Sequence, residues 1–406
     1  MNAAAAVTTP FSVESFRGAF PSLASGIAHF DGPGGTQTPA VVGQAISVTL
    51  TGPLSNRGTS VSSERNADTV VGAFRAAYAD FLAMPAEGIV YGRSATQLTY
   101  DFSRALAKTW TKGDEVVVSR LDHDANVRPW VQAAEAAGAT VRWIDIDPAT
   151  GELDAASMAA VIGERTRLVA VTAASNLIGT RPDIAAVADQ VHAVGALLYV
   201  DGVHAAAHTL IDVPALGADL FVCSPYKFFG PHCGVLAASP ELLESIHPDK
   251  LLPSTDVVPE RFEFGTLPYE IMAGATAAID FIASWGTGDT RRARLVSALE
   301  TLDERETVLR ERLESGLTAL GAVLYSRAAS RTPTLLVTFP GRSVKEASAY
   351  LAGRDVLVPS GSFYAVEPAR SLGLPDEGGL RIGVAAYTSD DDVDRLLAGL
   401  REFLAR

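Results

Sequence analysis

The chain has 406 residues, 48% of them hydrophobic and 20% charged, and a formal net charge of −14. This composition is typical of a globular protein with one large or two domains, and the negative charge argues against nucleic acid or an anionic membrane as a partner. No run of about 18 apolar residues could span a bilayer, and residues 1–10 lack the basic and apolar regions of a signal peptide. Two cysteines, Cys223 and Cys233, cannot form a disulfide framework, so we expect a cytoplasmic protein.

Apolar strand-like runs alternate with helical segments through the first half of the chain. The predicted strands are 89–91, 115–119, 141–146 and 168–171, and the predicted helices include 40–50, 62–84 and a segment ending near Trp110. Such alternation is typical of a doubly wound α/β sheet of mostly parallel strands. Ligands bind beyond the C-terminal ends of the strands in such sheets, so polar residues that follow these strands are candidates for a shared site.

Three loops after predicted strands carry candidate binding groups. Gly92–Gln97 presents small and hydroxyl residues at a helix start, which suits an anion such as phosphate, although N-capping by Ser94 or Thr96 explains the same residues. His123 lies between two aspartates. It is either a surface residue or a flat ring that stacks on a cofactor and exchanges protons near neutral pH. Asn176 follows a later strand and is compatible with an Asx-turn.

Two buried-strand patterns in the middle of the chain each lead to a reactive group. Leu197–Val200 runs into Asp201, and Leu220–Cys223 leads through Ser224 to Lys227. If these strands are parallel neighbours, Asp201 and Lys227 face one cleft at the sheet edge. Pyridoxal 5′-phosphate (PLP) chemistry uses a lysine that bonds to the cofactor aldehyde and a carboxylate that pairs with the protonated pyridine nitrogen. An ordinary ion pair at a strand end is the alternative.

The pattern changes after about residue 290. The predicted strands there are 334–339, 356–358 and 380–384, with helices at 343–353 and 389–405. Ser389, followed by three aspartates, is a strong helix start because it combines an N-cap with negative charge at the positive end of the helix dipole. We therefore predict a large domain at 30–285 and a small C-terminal α+β domain at 286–406, with residues 1–29 packing on the small domain.

The segments Asp201–His204, Ser224–Lys227 and Ser175–Thr180 resemble the cofactor segments of class V aminotransferases, specifically the cysteine desulfurase and selenocysteine lyase branch. The resemblance follows nearly the whole chain in order. It implies PLP fold type I, with PLP as cofactor and a small amino acid as substrate. It also implies that Lys227 is the Schiff-base lysine and proton shuttle, and that Asp201 is the partner of the pyridinium nitrogen.

The resemblance assigns the other groups of the site as well. It implies that His123 is a catalytic stacking group and that Asn176 and His204 serve the ring hydroxyl. Further implied cofactor contacts are Ala95, Thr96, Ser224 and Tyr226, with Gly265 and Thr266 reaching the partner's cofactor in a homodimer with shared sites. The implied substrate contacts are Asn176, Tyr364, Arg57, which the family places at the partner's active site, and Arg381, the carboxylate clamp. A surface arginine on an edge strand is the alternative for Arg381, and no metal site is predicted.

The sequence departs from that family at the chemistry. His204 stands where a glutamine is expected, and Tyr226 where a histidine is expected. The loop that carries the nucleophilic cysteine of desulfurases corresponds to Pro359–Tyr364, which has no cysteine. Because β-elimination needs no such residue, we predict a carbon–sulfur (β-elimination) lyase without a persulfide cysteine. The alternatives are an aminotransferase, an isopenicillin-N-epimerase-like enzyme, or a non-catalytic scaffold.

Overall fold

The computed structural model describes residues 11–406, in which strands and helices alternate as predicted. The strands are β1 (Ala28–His29), β2 (Ile89–Gly92), β3 (Glu115–Ser119), β4 (Thr140–Ile144), β5 (Ile146–Asp147), β6 (Glu152–Leu153), β7 (Thr166–Thr172), β8 (Leu197–Asp201), β9 (Leu220–Cys223), β10 (Gly234–Ala238), β11 (Val323–Leu324), β12 (Thr334–Thr338), β13 (Val356–Leu357), β14 (Ser360–Gly361) and β15 (Gly379–Gly383). The helices are α1 (Val13–Gly18), α2 (Ala40–Thr51), α3 (Ser62–Leu82), α4 (Ala95–Ala107), α5 (Arg128–Ala137), α6 (Ala155–Val161), α7 (Ile184–Ala193), α8 (Val213–Leu216), α9 (Pro240–Ser245), α10 (Tyr269–Ala283), α11 (Arg291–Ala319), α12 (Val344–Ala352), α13 (Val366–Ser371) and α14 (Asp390–Leu404).

Seven strands form the main sheet, in the order β2-β10-β9-β8-β7-β3-β4. All neighbouring pairs are parallel except those of β10, which runs antiparallel to both β2 and β9. Successive residues of β9 enter opposite cores, with Leu220 and Val222 on one face of the sheet and Phe221 and Cys223 on the other. Because both faces are covered, the central strands are continuous apolar runs. The predicted doubly wound, mostly parallel α/β sheet is confirmed.

The C-terminal part of the chain builds a four-stranded antiparallel sheet in the order β11-β12-β15-β14. Its core contains leucines of α11 together with side chains of α12 and α14. At the start of α14, the Ser389 hydroxyl accepts a hydrogen bond from the Asp392 N–H, and the Asp392 carboxylate accepts one from the Ser389 N–H. The predicted helix start is therefore present as a reciprocal capping box.

Residues near the N-terminus contact both parts of the molecule. β1 pairs in parallel with β13, whereas Phe16 of α1 packs against Phe229 and Phe281 in a core of the main sheet. Residues 1–10, which belong to the segment expected to pack on the C-terminal part, lie outside the described residues. No helix within residues 11–406 is long and apolar enough to cross a membrane.

The segment 141–146, predicted as one strand, forms two strands, β4 and β5. They separate at Asp145, whose N–H donates to the Ser157 hydroxyl at 2.9 Å and whose carboxylate accepts from Arg120 at 2.7 Å. Beyond this residue the chain leaves the main sheet, and β5 pairs with β6.

Candidate functional site

The segments that follow β2, β3, β7, β8 and β9 surround a cavity of about 580 Å³. The predicted site residues in its lining are Ala95, Thr96, His123, Asn176, Asp201, His204, Ser224, Tyr226, Lys227, Tyr364 and Arg381. Tyr364 and Arg381 come from the C-terminal part of the chain, so residues of both sheets build one site.

Lys227 ends a short 3₁₀ turn, Pro225–Lys227, directly after β9. The residue is 9% exposed, and its amine donates a hydrogen bond to the Pro33 carbonyl. Burial and then repulsion from Arg381 lower the pKa of Lys227 to about 7, against the attraction of Asp201. A buried lysine with a pKa near neutrality has a large neutral fraction, so it can act as a nucleophile or a base.

Asp201 is the last residue of β8, and it faces Thr172 of β7 in the sheet register. One of its carboxylate oxygens accepts a hydrogen bond from the Val203 N–H at 2.8 Å. Burial raises the pKa of Asp201 to about 6, while that hydrogen bond and the charge of Lys227 lower it. Asp201 and Lys227 line one cavity, yet Lys227 donates to Pro33, so the pair is not an ordinary ion pair.

His123 caps the 3₁₀ turn Asp124–Asn126, and its Nδ1 accepts a hydrogen bond from the Ala125 N–H at 3.0 Å. The proton of the neutral ring is therefore on Nε2. Burial and then the charge of Lys227 lower the pKa of His123 to about 4, so the ring is neutral at physiological pH. A neutral, flat ring in the cavity wall suits the predicted stacking role.

Arg381 lies on β15 and is buried. Its Nη1 donates to the Asn176 carbonyl at 3.0 Å, and its guanidinium carbon lies 3.7 Å from the centre of the Phe363 ring. Burial lowers the pKa of Arg381 to about 9, against the attraction of Asp31. The alternative of a surface arginine does not fit this buried position, whereas a planar fork in a cavity wall suits bidentate binding of a carboxylate.

The loop Pro359–Tyr364, which has no cysteine, is docked on the cavity. Asn176 Nδ2 donates to the Phe363 carbonyl at 3.0 Å, and the Asp124 N–H donates to the Tyr364 carbonyl at 2.8 Å. Phe363 and Tyr364 have φ angles of +55° and +58°, a conformation that residues other than glycine rarely adopt. Their backbone is thus held in place by contacts with the main-sheet side of the site.

The start of α4 offers an anion site. The Ser94 hydroxyl accepts a hydrogen bond from the Gln97 N–H at 3.0 Å, so Ser94 is an N-cap, as the alternative interpretation held. Ala95 and Thr96 follow it in the cavity lining, and Ser224 lines the same cavity. The free N–H groups of a helix start favour a phosphate.

Three buried polar atoms of side chains in the cavity lining have no hydrogen-bond partner within residues 11–406. They are Asn176 Oδ1, His204 Nδ1 and Arg381 Nε. Buried polar groups are normally paired, so a polar ligand is expected to complete them. PLP offers a ring hydroxyl, a pyridine nitrogen and a phosphate, and an amino acid adds a carboxylate. Each of these groups has a match in charge and hydrogen-bonding type. Asn176 and His204 match the ring hydroxyl, Asp201 the pyridine nitrogen, the start of α4 the phosphate, and Arg381 the carboxylate. The residues therefore fit this cofactor.

The other three predicted residues lie outside the cavity lining. Arg57 donates to Asp68 at 2.8 Å and to Glu260 at 3.0 Å. Gly265 and Thr266 are exposed. Each of the three was expected to act at the partner's site, so their roles stay predictions.

One acidic and one basic residue near His123 were not among the predicted site residues. Asp122 is buried, accepts hydrogen bonds from Asn126 and Ser119, and has a pKa that burial raises well above its usual range. Arg128 lines the cavity and pairs with Asp124 at 2.9 Å. The four-residue spacing of Asp124 and Arg128 is the sequence pattern that could have predicted this ion pair, but such pairs are common on solvated helix faces.

A family model described as aminotransferase class V matches residues 28–396. The chain belongs to the class V aminotransferase family. Members of this family are PLP-dependent enzymes. Among the relatives of this class V aminotransferase-family protein, the cysteine desulfurase of Dickeya dadantii (strain 3937) is 30% identical over 341 residues, covering 80% of this chain and 79% of that protein.

Solved structures share the fold of this class V aminotransferase-family protein. The cysteine desulfurase of Thermococcus onnurineus NA1 has a TM-score of 0.89 at 23% identity, over 98% of this chain and 100% of that one. A mutant of C-DES with glycine covalently linked to its PLP cofactor has a TM-score of 0.79 at 21% identity, over 97% of this chain and 100% of that one. The fold is therefore PLP fold type I.

Proposed function

We propose that this protein is a PLP-dependent carbon–sulfur (β-elimination) lyase for a small amino acid such as L-cysteine, working without a persulfide cysteine. The observation that carries the proposal is a cavity that joins Lys227, Asp201 and Arg381 to a docked loop with no cysteine. Cys223 and Cys233 are buried, neither lines this cavity, and burial raises the pKa of both thiols. Neither therefore suits the role of a sulfur acceptor.

Each side chain has a defined task in this proposal. When bound, PLP withdraws electrons from the amino acid and makes its Cα proton acidic. Lys227 Nζ takes that proton, Arg381 holds the substrate carboxylate, and Asp201 pairs with the pyridine nitrogen. His123 packs its neutral ring against the cofactor, and Asn176 with His204 binds the ring hydroxyl.

The overall reaction balances without a sulfur acceptor on the protein. The Cα–H and Cβ–S bonds break, and the proton and the sulfur leave the amino acid. Water then cleaves the Cα–N bond of the released product, so that the water oxygen becomes the keto oxygen of pyruvate and the nitrogen leaves as ammonium. L-Cysteine and water thus give pyruvate, ammonium and hydrogen sulfide. The docked loop supports release of the sulfur as free sulfide, since its exposed Tyr364 borders the cavity and offers no thiol.

The test measures sulfide, pyruvate and alanine from L-cysteine for the PLP-loaded wild type and for a Cys223→Ala/Cys233→Ala double variant. We expect equal sulfide and pyruvate from both proteins, with no thiol acceptor added. Alanine in place of pyruvate, lost in the double variant, would contradict the proposal and indicate persulfide transfer.

An aminotransferase is the second candidate, favoured by the description of the matching family model. It predicts amino-group transfer to a keto acid without sulfide, and an epimerase predicts exchange of the Cα proton alone. The same incubation therefore distinguishes these reactions from elimination.

We also propose a cytoplasmic homodimer whose subunits each have domains at about 30–285 and 286–406. Apolar side chains on α2 are exposed, among them Val48 (64% exposed) and Leu50 (61% exposed). They support contact between α2 and a second subunit. The exposed Gly265 and Thr266 are available to the partner's cofactor. Sedimentation of the PLP-loaded protein tests the dimer.

A further inference from the structure

A buried histidine–carboxylate pair lies next to the cavity and has no task in the proposed chemistry. His208 Nδ1 and the Glu306 carboxylate are 2.8 Å apart, and the two side chains are 4% and 3% exposed. Glu306 belongs to α11, whose first half packs in a core of the main sheet and whose second half packs in the core of the C-terminal sheet. Glu306 therefore ties His208 to the helix that joins the two sheets.

His204 connects this pair to the cavity. Its ring lies 5.0 Å from the His208 ring, edge-on at 70°. His204 Nε2 is 3.0 Å from the hydroxyl of Thr332, which precedes β12, and 3.0 Å from that of Thr334, the first residue of β12. His204 Nδ1 is buried and finds no partner in the part of the chain that the structure describes. One ring nitrogen is thus held by the C-terminal part, and the other is available to a ligand.

The surroundings keep His204 neutral. The groups whose charge faces it are His208, Lys227 and Arg381, and each of them disfavours a positive imidazole. Burial is the main cause that places the pKa of His204 well below its usual range, and these charges act in the same direction. At Glu306, burial raises the pKa of the carboxyl, the charge of His208 lowers it and that of Asp303 raises it. The Tyr387 hydroxyl also lies within electrostatic reach of Glu306. A neutral ring held at one nitrogen has a single fixed donor or acceptor at the other.

We propose that His208 and Glu306 are positioning residues, which act together with Thr332 and Thr334 to hold the His204 ring so that its Nδ1 meets the ring hydroxyl of bound PLP. The inference rests on the cofactor of the proposed function but not on which reaction follows. Because both threonines belong to the C-terminal part, the placement of that part fixes a contact to the cofactor ring.

The first test compares Glu306→Gln with Glu304→Gln in the PLP-loaded enzyme, without substrate. Glu304 is exposed on the same helix, so its variant removes the same charge and leaves the pair intact. The readouts are the pH midpoint of the visible cofactor absorbance and the PLP dissociation constant. Glu306→Gln removes the carboxylate that holds His208, so we expect the His204 ring to lose its fixed orientation and the midpoint to shift by about half a pH unit. PLP binding weakens about three- to tenfold, as for one lost hydrogen bond.

The second test examines the hydroxyl contacts through Thr334. Thr334→Val keeps the shape of the side chain and removes the hydroxyl, whereas Thr334→Ser keeps the hydroxyl. We expect Thr334→Val to shift the absorbance midpoint and weaken PLP binding, and Thr334→Ser to restore both. If Glu306→Gln fails to fold, this pair of variants decides the question.

Two results would overturn the proposal. One is an unchanged midpoint and PLP affinity in folded Glu306→Gln and Thr334→Val, and the other is an equal shift in Glu304→Gln. The outcome is separable from that of the lyase proposal. A wild type that binds PLP and releases no sulfide contradicts elimination while these absorbance tests still apply, and a wild type that binds no PLP contradicts both.

Discussion

Replacing Lys227 with methionine should stabilise the cofactor-free protein by an amount that falls as the pH rises. The unfolded chain keeps this amine protonated until about pH 10.4, whereas burial lowers the pKa of the folded group to about 7. Between these values the unfolded state binds more protons, so the stability of the wild type rises with pH. Each pH unit between the two pKa values corresponds to about 1.36 kcal/mol of unfolding free energy, so the buried amine costs roughly 4 kcal/mol at about pH 7 and roughly 2 kcal/mol at about pH 9.

The assay is denaturant unfolding of wild type and Lys227→Met, each without cofactor, at those two pH values. The two proteins differ in packing and in the hydrogen bond to Pro33, and these differences are the same at both pH values. The change with pH in their difference in unfolding free energy therefore isolates the titration of the amine. Lys112→Met is the matched control, because Lys112 is exposed. A gap between wild type and Lys227→Met that stays constant with pH would refute the assignment of a lowered pKa to Lys227.

Two further variants address the substrate side of the site. Arg381→Gln should raise the KM for the amino acid about 10²-fold with a smaller change in kcat, since the fork that binds the carboxylate is lost; an unchanged KM in steady-state kinetics would contradict the clamp. His123→Phe should keep PLP affinity within about threefold, because a flat ring remains. If His123 also exchanges a proton through Nε2, as its sequence position suggests, kcat should fall about 10²-fold. A full kcat would leave His123 as a stacking group alone.

The sheet and much of the site could be predicted because local patterns encode them. Apolar runs without alternation indicate strands covered on both faces, and β8 and β9 are such strands. Once they are parallel neighbours, the position of Asp201 and Lys227 at one edge follows from chain direction alone. Neither the strands nor the positions of these two residues depend on how distant segments pack.

The contacts that bring distant segments together could not be read from the pattern. His204 and Thr334 are 130 residues apart in sequence, and their contact depends on how the C-terminal sheet packs on the cavity. The hydrogen bonds that hold the docked loop are made by the backbone carbonyls of Phe363 and Tyr364. Because every residue type has this carbonyl, the sequence of the loop does not indicate these hydrogen bonds. Arg57 and Thr266 were predicted to act at the site of a second subunit, and these roles remain predictions.

The antiparallel strand β10 determines the distance between two binding groups of the cavity. It lies between β2 and β9, which run in the same direction, so the start of α4 and the turn at Lys227 leave the sheet at one edge. Neighbouring strands are about 4.8 Å apart, so two spacings place these anchors roughly 10 Å from each other. A ligand that engages both anchors must bridge this separation together with the Lys227 side chain. In the proposed binding of PLP, the phosphate would engage the start of α4 and the aldehyde would engage Lys227, whereas pyridoxal, which lacks the phosphate, would engage Lys227 alone.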